Sequence, residues 1–259
     1  TEEYHGFDSA SLGDLDGDGL MELVVGVPGY NNFSGKAEFY SGSTLQAGGS
    51  LSADRNLSGN GLAGVDVANL GDIDNDGFED IGIGAGPYAT ASLTVFSGAA
   101  LVSGQGNLTK TDALQTLTGT SIAGRTVGGL DFNQDGYADV LMGSDWSNDG
   151  EVLLLSGSAL SQGQASMGSA IRLTGSSGSL VGHSNGWVDD ATGDGYPEIV
   201  VSAPGEDGDK TGSGKVYLVD ADDLPNGSAQ AESLAFYTLL GNAESGRMIS
   251  AETSGDFDG

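Results

Sequence analysis

The chain has 259 residues, of which 37% are hydrophobic and 17% charged, so it is long enough to form a packed core. Its 37 Asp and Glu residues outnumber 8 Lys and Arg, and the formal net charge of −29 disfavours binding to nucleic acid or insertion at anionic membrane surfaces. The chain contains no cysteine, which excludes disulfides and thiolate metal sites, and no apolar run approaches the roughly 20 residues of a membrane helix. Cations are therefore its natural partners.

An aspartate-rich loop recurs along the chain and divides it into similar units. The first aspartates of these loops stand at intervals of 58, 59, 59 and 66 residues: Asp14, Asp72, Asp131, Asp190 and Asp256. A glycine lies seven to ten residues before each of them. This periodicity predicts four full repeats, at about 6–59, 64–119, 124–175 and 182–241, and a partial fifth at about 246–259.

Each repeat carries four short segments that are typical of strands. The first follows the opening glycine, and the second is an apolar run directly after the loop, at 23–28, 81–86, 140–144 and 199–204. A third run occupies 36–40, 93–96, 151–155 and 215–219, and a fourth ends at 57–59, 117–119, 173–175 and 240–241. Because these runs are short, rich in β-branched residues and stopped by glycine, they predict strands rather than helices.

Four antiparallel strands per repeat predict an all-β fold. Such a sheet buries its faces on neighbouring sheets, so we expect a single β-propeller over 1–259 with one blade per repeat. A parallel β-helix is a poorer match because its rungs are far shorter than this period. An array of EF-hands is also disfavoured, since helices should flank each of its loops.

The loops present oxygen atoms at alternating positions, which we number from the first aspartate. Side-chain oxygens stand at positions 1, 3, 5 and 9, a glycine at position 6 permits a sharp turn, and position 7 offers its main-chain carbonyl. This all-oxygen set suits Ca²⁺ better than the smaller Mg²⁺, and it predicts about four Ca²⁺ ions, one per full repeat. The candidate ligands are Asp14, Asp16, Asp18, Leu20 and Glu22; Asp72, Asp74, Asp76, Phe78 and Asp80; Asp131, Asn133, Asp135, Tyr137 and Asp139; and Asp190, Thr192, Asp194, Tyr196 and Glu198.

The four loops differ at position 3. Asn133 replaces a carboxylate in the third loop, and Thr192 supplies only a hydroxyl in the fourth. We therefore expect the first two loops to bind Ca²⁺ more tightly than the last two. We expect the bound ions chiefly to stabilise their repeats rather than to contact a ligand.

The glycine-led strand, the Asp-x-Asp-x-Asp-Gly loop and the Gly-Val-Pro or Ser-Ala-Pro stop resemble the FG-GAP repeats of integrin alpha-subunit propellers and their bacterial relatives. The resemblance implies a larger propeller of about seven blades, adhesion at a cell surface, and ligand binding on the face opposite the loops. The chain departs from the pattern at His5-Gly6 and at Gly143-Ser144-Asp145. Because the sequence stops inside a fifth loop, we expect it to be one piece of a longer chain. The alternatives are a propeller that a partner chain completes and an open array that associates with copies of itself.

On the face opposite the loops lie the links between the second and third strands of each repeat. Exposed aromatic and acidic residues there suit a protein or glycan ligand, and the candidates are Tyr30, Tyr88, Trp146 and Asp207. A simpler alternative is that the aromatic residues only cap the edges of the blades. The links between the third and fourth strands, such as 41–56 and 97–113, are Ser- and Gly-rich and look like spacers.

No constellation in the sequence indicates an enzyme. The only histidines, His5 and His183, lie beside opening glycines, and neither a nucleophile elbow nor a phosphate loop occurs. We predict a secreted, extracellular or cell-surface binding module. The alternatives are a calcium-dependent polysaccharide lyase or glycosidase, with acid and base among Asp145, Asp149, Glu206 and Asp207, and a rigid spacer in a large surface protein.

Overall fold

The structure is a computed structural model that describes residues 3–86, 91–104, 106–119, 126–144 and 149–243. The chain forms two compact units, Thr1–Ile122 with Gly157–Ala165 and Ala123–Ser156 with Ser166–Gly259. Two antiparallel sheets belong to each unit, and we call these sheets blades 1 to 4 in chain order. The predicted starts of the third and fifth repeats, at Gly124 and Gly246, lie outside the described residues.

The first unit holds blades 1 and 2. Blade 1 consists of β1 (Ser9–Ser11), β2 (Leu23–Gly26), β3 (Ala37–Tyr40) and β4 (Arg55–Ser58). Blade 2 consists of β5 (Ala63–Gly71), β6 (Asp80–Ala85), β7 (Ala91–Phe96) and, after the short β8 (Leu108–Thr109), β9 (Gln115–Gly119). Consecutive strands of each blade pair antiparallel, as in a meander.

The second unit holds blades 3 and 4. Blade 3 consists of β10 (Thr126–Leu130), β11 (Asp139–Ser144), β12 (Glu151–Leu155) and β13 (Ile171–Thr174). Blade 4 consists of β14 (Asn185–Val188), β15 (Glu198–Ala203), β16 (Lys215–Asp220) and, after the short β17 (Ser228–Gln230), β18 (Ala235–Leu240). The prediction of four-stranded antiparallel sheets is thus confirmed in all four repeats.

The second strand of each blade lies in the interior. Every residue of β6, β11 and β15 is buried, as an apolar run without alternation predicts for a strand covered on both faces. Neighbouring backbones approach so closely that a Cβ on Gly26 would lie 2.0 Å from the carbonyl oxygen of Gly64. Small residues at the ends of these strands therefore set how closely consecutive repeats pack within a unit.

The links between third and fourth strands are more structured than spacers. They form the short helical segments Gly42–Ala47, Gly98–Ser103, Gly157–Ser161 and the 3-10 turn Ala221–Asp223, and the link of blade 4 also contains the helical segment Ala231–Leu234. The link of blade 2 adds β8 in parallel to β4 of blade 1, and the link of blade 4 adds β17 in parallel to β13 of blade 3. Each of these links therefore covers the outer strand of the preceding blade.

The link from β2 to β3 contains one helical turn, Tyr30–Phe33, with an irregular backbone. Asn31, Asn32 and Phe33 have φ values of 46°, 58° and 65°, which lie in the left-handed region. Among the described residues, no helix is long and apolar enough to cross a membrane.

Candidate metal loops and an aromatic end of blade 1

The aspartate-rich loops connect the first and second strands of their blades. All four loops therefore stand at the same end of their blades, as the repeat pattern predicts. The glycine at position 6 has a φ of +87° in the first loop and between +84° and +96° in the other three. A side chain at this position would strain the backbone, which explains why glycine recurs there.

The four loops share two hydrogen bonds that hold their carboxylates inward. The position 1 aspartate accepts the N–H of position 6 at 2.9 to 3.0 Å, and the position 5 aspartate accepts the N–H of position 7 at 2.8 to 3.1 Å. These bonds form because short aspartate side chains readily accept from backbone groups a few residues ahead. The same local geometry thus recurs in all four repeats, including the two that lack a carboxylate at position 3.

Three carboxylates converge in each of the first two loops. In the first loop, oxygens of Asp14, Asp16 and Asp18 all lie within 4.8 Å of one another. The second loop brings together oxygens of Asp72, Asp74 and Asp80 in the same way. Within the described part of the chain, no lysine or arginine forms an ion pair with these six side chains.

The third and fourth loops do not form such a group among the described residues. In the third loop, Oδ1 of Asp131 and Oδ1 of Asn133 share the N–H of Asp135 at 3.0 and 2.9 Å, just as Asp72 and Asp74 share the N–H of Asp76 in the second loop. In the fourth loop, Thr192 donates its backbone N–H to Glu198 at 2.9 Å. The difference follows position 3, where these loops carry no carboxylate.

The position 9 carboxylate is buried and serves the backbone. Glu22 accepts the N–H of Leu15 at 2.6 Å and that of Gly42 at 2.9 Å. Asp80 accepts the corresponding N–H groups of Ile73 and Gly98, both at 2.9 Å. Position 9 therefore ties each of these loops to the helical segment that follows the third strand, a role that sequence reasoning missed.

Charge crowding is strongest in the second loop. Burial raises the pKa of Asp80 to about 7, and the nearby charges of Asp74 and Asp76 act in the same direction. Burial, followed by the charge of Asp76, also raises the pKa of Asp74. A divalent cation would relieve this repulsion, and the all-oxygen donor set is of the kind that Ca²⁺ prefers.

Exposed aromatic residues gather at the opposite end of blade 1. The exposed fractions of Tyr4, Phe7, Tyr30 and Phe33 are 49%, 60%, 39% and 53%. The ring centroids of Tyr4 and Phe33 lie 6.4 Å apart, close enough for aromatic contact. We call these four residues the aromatic end of blade 1.

A partly buried charge network lies beside the aromatic end. Glu38 receives hydrogen bonds or ion pairs from Lys36 at 2.5 Å, Tyr40 at 2.6 Å and His5 at 2.7 Å. Burial raises the pKa of Glu38, but these three partners outweigh burial and hold it below its ordinary value. Lys36 Nζ also stands 4.1 Å from the ring centroid of Tyr30, which fixes that ring.

The candidate ligand residues fall into three groups. Tyr30 belongs to the aromatic end, whereas Tyr88 and Trp146 lie outside the described residues. Asp207 is exposed on blade 4, where it accepts the N–H of Gly212 at 2.6 Å and so closes its own loop. Sequence reasoning missed Tyr4 and Phe7, although the Asn31-Asn32 pair was a signal for the left-handed turn that presents Phe33.

Comparison with known proteins identifies the repeats. The family model for the FG-GAP repeat matches residues 7–40, 123–155 and 181–219. Integrin alpha-6 of Gallus gallus is 31% identical over 148 residues, which cover 54% of this chain and 13% of the integrin. Integrin alpha-4 of Xenopus laevis is 32% identical over 152 residues, which cover 54% of this chain and 14% of the integrin. The chain therefore spans a small part of the length of these relatives.

Among solved structures, the Dos1 propeller aligns with 85% of this chain and 44% of its own chain, at a TM-score of 0.50 and 9% identity. A likeness at that identity concerns the fold alone, and it agrees with the predicted β-propeller blades. The rhamnogalacturonan lyase YesW aligns with a TM-score of 0.44 and 16% identity, over 83% of this chain and 47% of its own. That score supports no inference about activity.

Proposed function

The chain carries FG-GAP repeats of the integrin alpha type, and on this premise we propose that it is a calcium-stabilised, extracellular adhesion module. Its ligand is a protein or a glycan at a cell surface, bound at the end of the blades opposite the aspartate-rich loops. The aromatic end of blade 1 is the observation that carries the proposal. Its four aromatic side chains lie around a left-handed turn and stay exposed instead of packing in the core. Exposed apolar patches of this kind mark binding surfaces.

Calcium has a structural role in this proposal. The first two loops gather three carboxylates each, and Ca²⁺ would take these oxygens together with the position 7 carbonyls. The third and fourth loops would hold the ion more weakly, through Asp131, Asn133, Asp135 and Asp139 and through Asp190, Thr192, Asp194 and Glu198. All four repeats belong in this proposal to one propeller.

A binding role suits the carboxylates better than a catalytic one. Among the candidates for acid and base, Glu206 pairs with Lys215 at 3.0 Å and accepts the hydroxyl of Tyr217. Asp149 accepts the N–H of Gly178 at 3.3 Å. Glu206 and Asp149 thus each have a structural partner elsewhere in the second unit, and Asp145 lies outside the described residues.

The proposal is tested by binding of the calcium-loaded chain to arrays of extracellular matrix proteins and of glycans. We expect saturable binding to at least one component, and we expect Phe33→Ser and Phe7→Ser each to weaken it at least tenfold. Tyr237→Ser is the matched control because Tyr237 is also an exposed aromatic residue, at 56%, but belongs to β18 of the second unit. Binding that survives both phenylalanine substitutions, or the absence of any saturable binding, would refute the proposed ligand surface.

A further inference from the structure

A cavity of about 410 Å³ lies within the second unit, beside the aspartate-rich loops of blades 3 and 4. Trp187 and Tyr196 form aromatic walls, and Asp189, Gln134 and Pro197 complete the lining together with loop residues. We propose that this cavity binds an organic cation, namely the lysine or arginine side chain of a protein partner. The site is separate from the aromatic end of blade 1, which lies at the opposite end of its blade.

The equivalent place in the first unit is filled. There, Asn69 of blade 2 donates Nδ2 to the carbonyl oxygen of Ser11 in blade 1 at 3.2 Å. The same Nδ2 donates to Oε2 of Glu79 at 2.6 Å, and a Cβ on Gly13 would lie only 3.3 Å from that oxygen. The Glu79 side chain therefore occupies the space between the two loops.

Two substitutions open this space in the second unit. Three residues before the loop, Trp187 stands where the second repeat has Asn69, and its Nε1 donates to the carbonyl oxygen of Gly128 at 3.1 Å. The indole thus makes the same bond between blades and adds an aromatic face that the bond does not require. At loop position 8, Pro197 stands where the second repeat has Glu79, so no long side chain fills the cavity.

The charge of the cavity selects a cation. Asp131 and Asp190 already accept backbone N–H groups through both carboxylate oxygens, and they would share their charge with Ca²⁺. Asp189 is exposed and has no hydrogen bond or ion pair within the described part of the chain. The first two repeats have Gly13 and Gly71 at its position, so the loop geometry does not require this carboxylate.

An aromatic wall beside an unpaired carboxylate suits a lysine or arginine side chain. The cation stacks on the indole while its charge pairs with Asp189. The formal net charge of −29 draws such a group toward the surface and gives a neutral ligand no similar advantage. Gln134 donates Nε2 to the carbonyl oxygen of Gly195 at 2.8 Å and so holds the two loops around the cavity.

The test uses the fluorescence of Trp187 in the calcium-loaded chain. Trp146→Phe removes the only other tryptophan, and the probe is Nα-acetyl-lysine amide, with its Nε-acetylated form as the neutral comparison. We expect a saturable change with the charged probe at millimolar concentrations and at least fivefold weaker binding of the neutral one. Asp189→Asn should weaken the charged probe about fivefold or more.

Pro197→Glu provides a second variant because it restores the residue that fills the space in the second repeat. We expect this variant to lose the response while it keeps its melting temperature in Ca²⁺. Asp223→Asn, an exposed aspartate elsewhere on blade 4, is the matched control and should change nothing. Equal binding of the two probes, binding of a neutral oligosaccharide that Asp189→Asn leaves intact, or no saturable response in the parent would each overturn the proposal.

Discussion

Substitution of the two kinds of loop carboxylate separates metal binding from backbone support. Asp80 is fully buried, and it accepts the N–H of Ile73 through Oδ2 and that of Gly98 through Oδ1. In Asp80→Asn, only one amide oxygen remains to accept, so one N–H loses its partner inside the protein. Hydrogen bonds to charged groups contribute about 1.5–3 kcal/mol, and an unpaired buried donor costs about 1–3 kcal/mol. We therefore expect the free energy of unfolding to fall by about 1–3 kcal/mol in chelator, and by more in Ca²⁺, where one carboxylate of the candidate metal group is lost as well.

Asp74→Asn should behave differently. Its carboxylate lies within 4.8 Å of those of Asp72 and Asp80, and an asparagine oxygen can still accept the N–H of Asp76. Without Ca²⁺ the substitution removes repulsion, so stability should stay equal or rise; with Ca²⁺ a ligand is lost and stability should fall. Urea unfolding of both variants in Ca²⁺ and in chelator is the assay. A loss in chelator for Asp74→Asn, or none for Asp80→Asn, would refute this division of roles.

Three further outcomes are expected. Chelation should lower the melting temperature substantially, and calorimetric titration should resolve tighter binding in the first two loops than in the last two; four equal affinities would contradict the role given to position 3. Gly143→Ala should cost about 3 kcal/mol, because its Cβ would lie 2.1 Å from the carbonyl oxygen of Gly182, whereas the exposed control Gly168→Ala should be nearly neutral in urea unfolding. Glu38→Gln should destabilise the protein at neutral pH. Because the folded pKa of Glu38 lies below its ordinary value of 4.5, the stability difference from wild type should shrink as the pH falls through and below that value. A difference that acid leaves unchanged would count against the network.

The sequence was informative where local chemistry decides the structure. Loop positions 1, 5 and 6 could be predicted because an aspartate, an aspartate and a glycine each satisfy a requirement a few residues away. The buried second strands could be predicted because continuous apolar runs such as β15 have no polar face to present to solvent. The candidate calcium site was readable for the same reason, although its occupancy stays a prediction.

Long-range pairings were not readable. The strand β8 has only two residues and pairs in parallel with β4, so no periodicity could reveal it. The aromatic end depends on the contact of Tyr4 with Phe33, which are 29 positions apart and meet only through the left-handed turn. Departures from the repeat, such as Trp187 and Pro197, are visible in the sequence, but their meaning depends on the space between two loops.

The buried carboxylate at position 9 connects the second loop to the packing of blade 1. Asp80 accepts the N–H of Gly98, which begins the helical segment Gly98–Ser103, and Arg55 of β4 donates to the carbonyl oxygen of Ala100 in that segment at 2.7 Å. The same link continues into β8, which pairs with β4. Loosening the Asp80 contact should therefore loosen the outer strand of the preceding blade.

Hydrogen exchange measures this connection directly. In Asp80→Asn we expect the amide of Leu57, whose residue pairs with Leu108 of β8, to lose protection. The amide of Val200 in β15 is the internal control, because it belongs to the second unit. If Leu57 and Val200 lost protection equally, the substitution would act on global stability alone. A loss confined to β4 and the link after β7 would mean that the second loop stabilises the outer strand of blade 1 as well as its own turn.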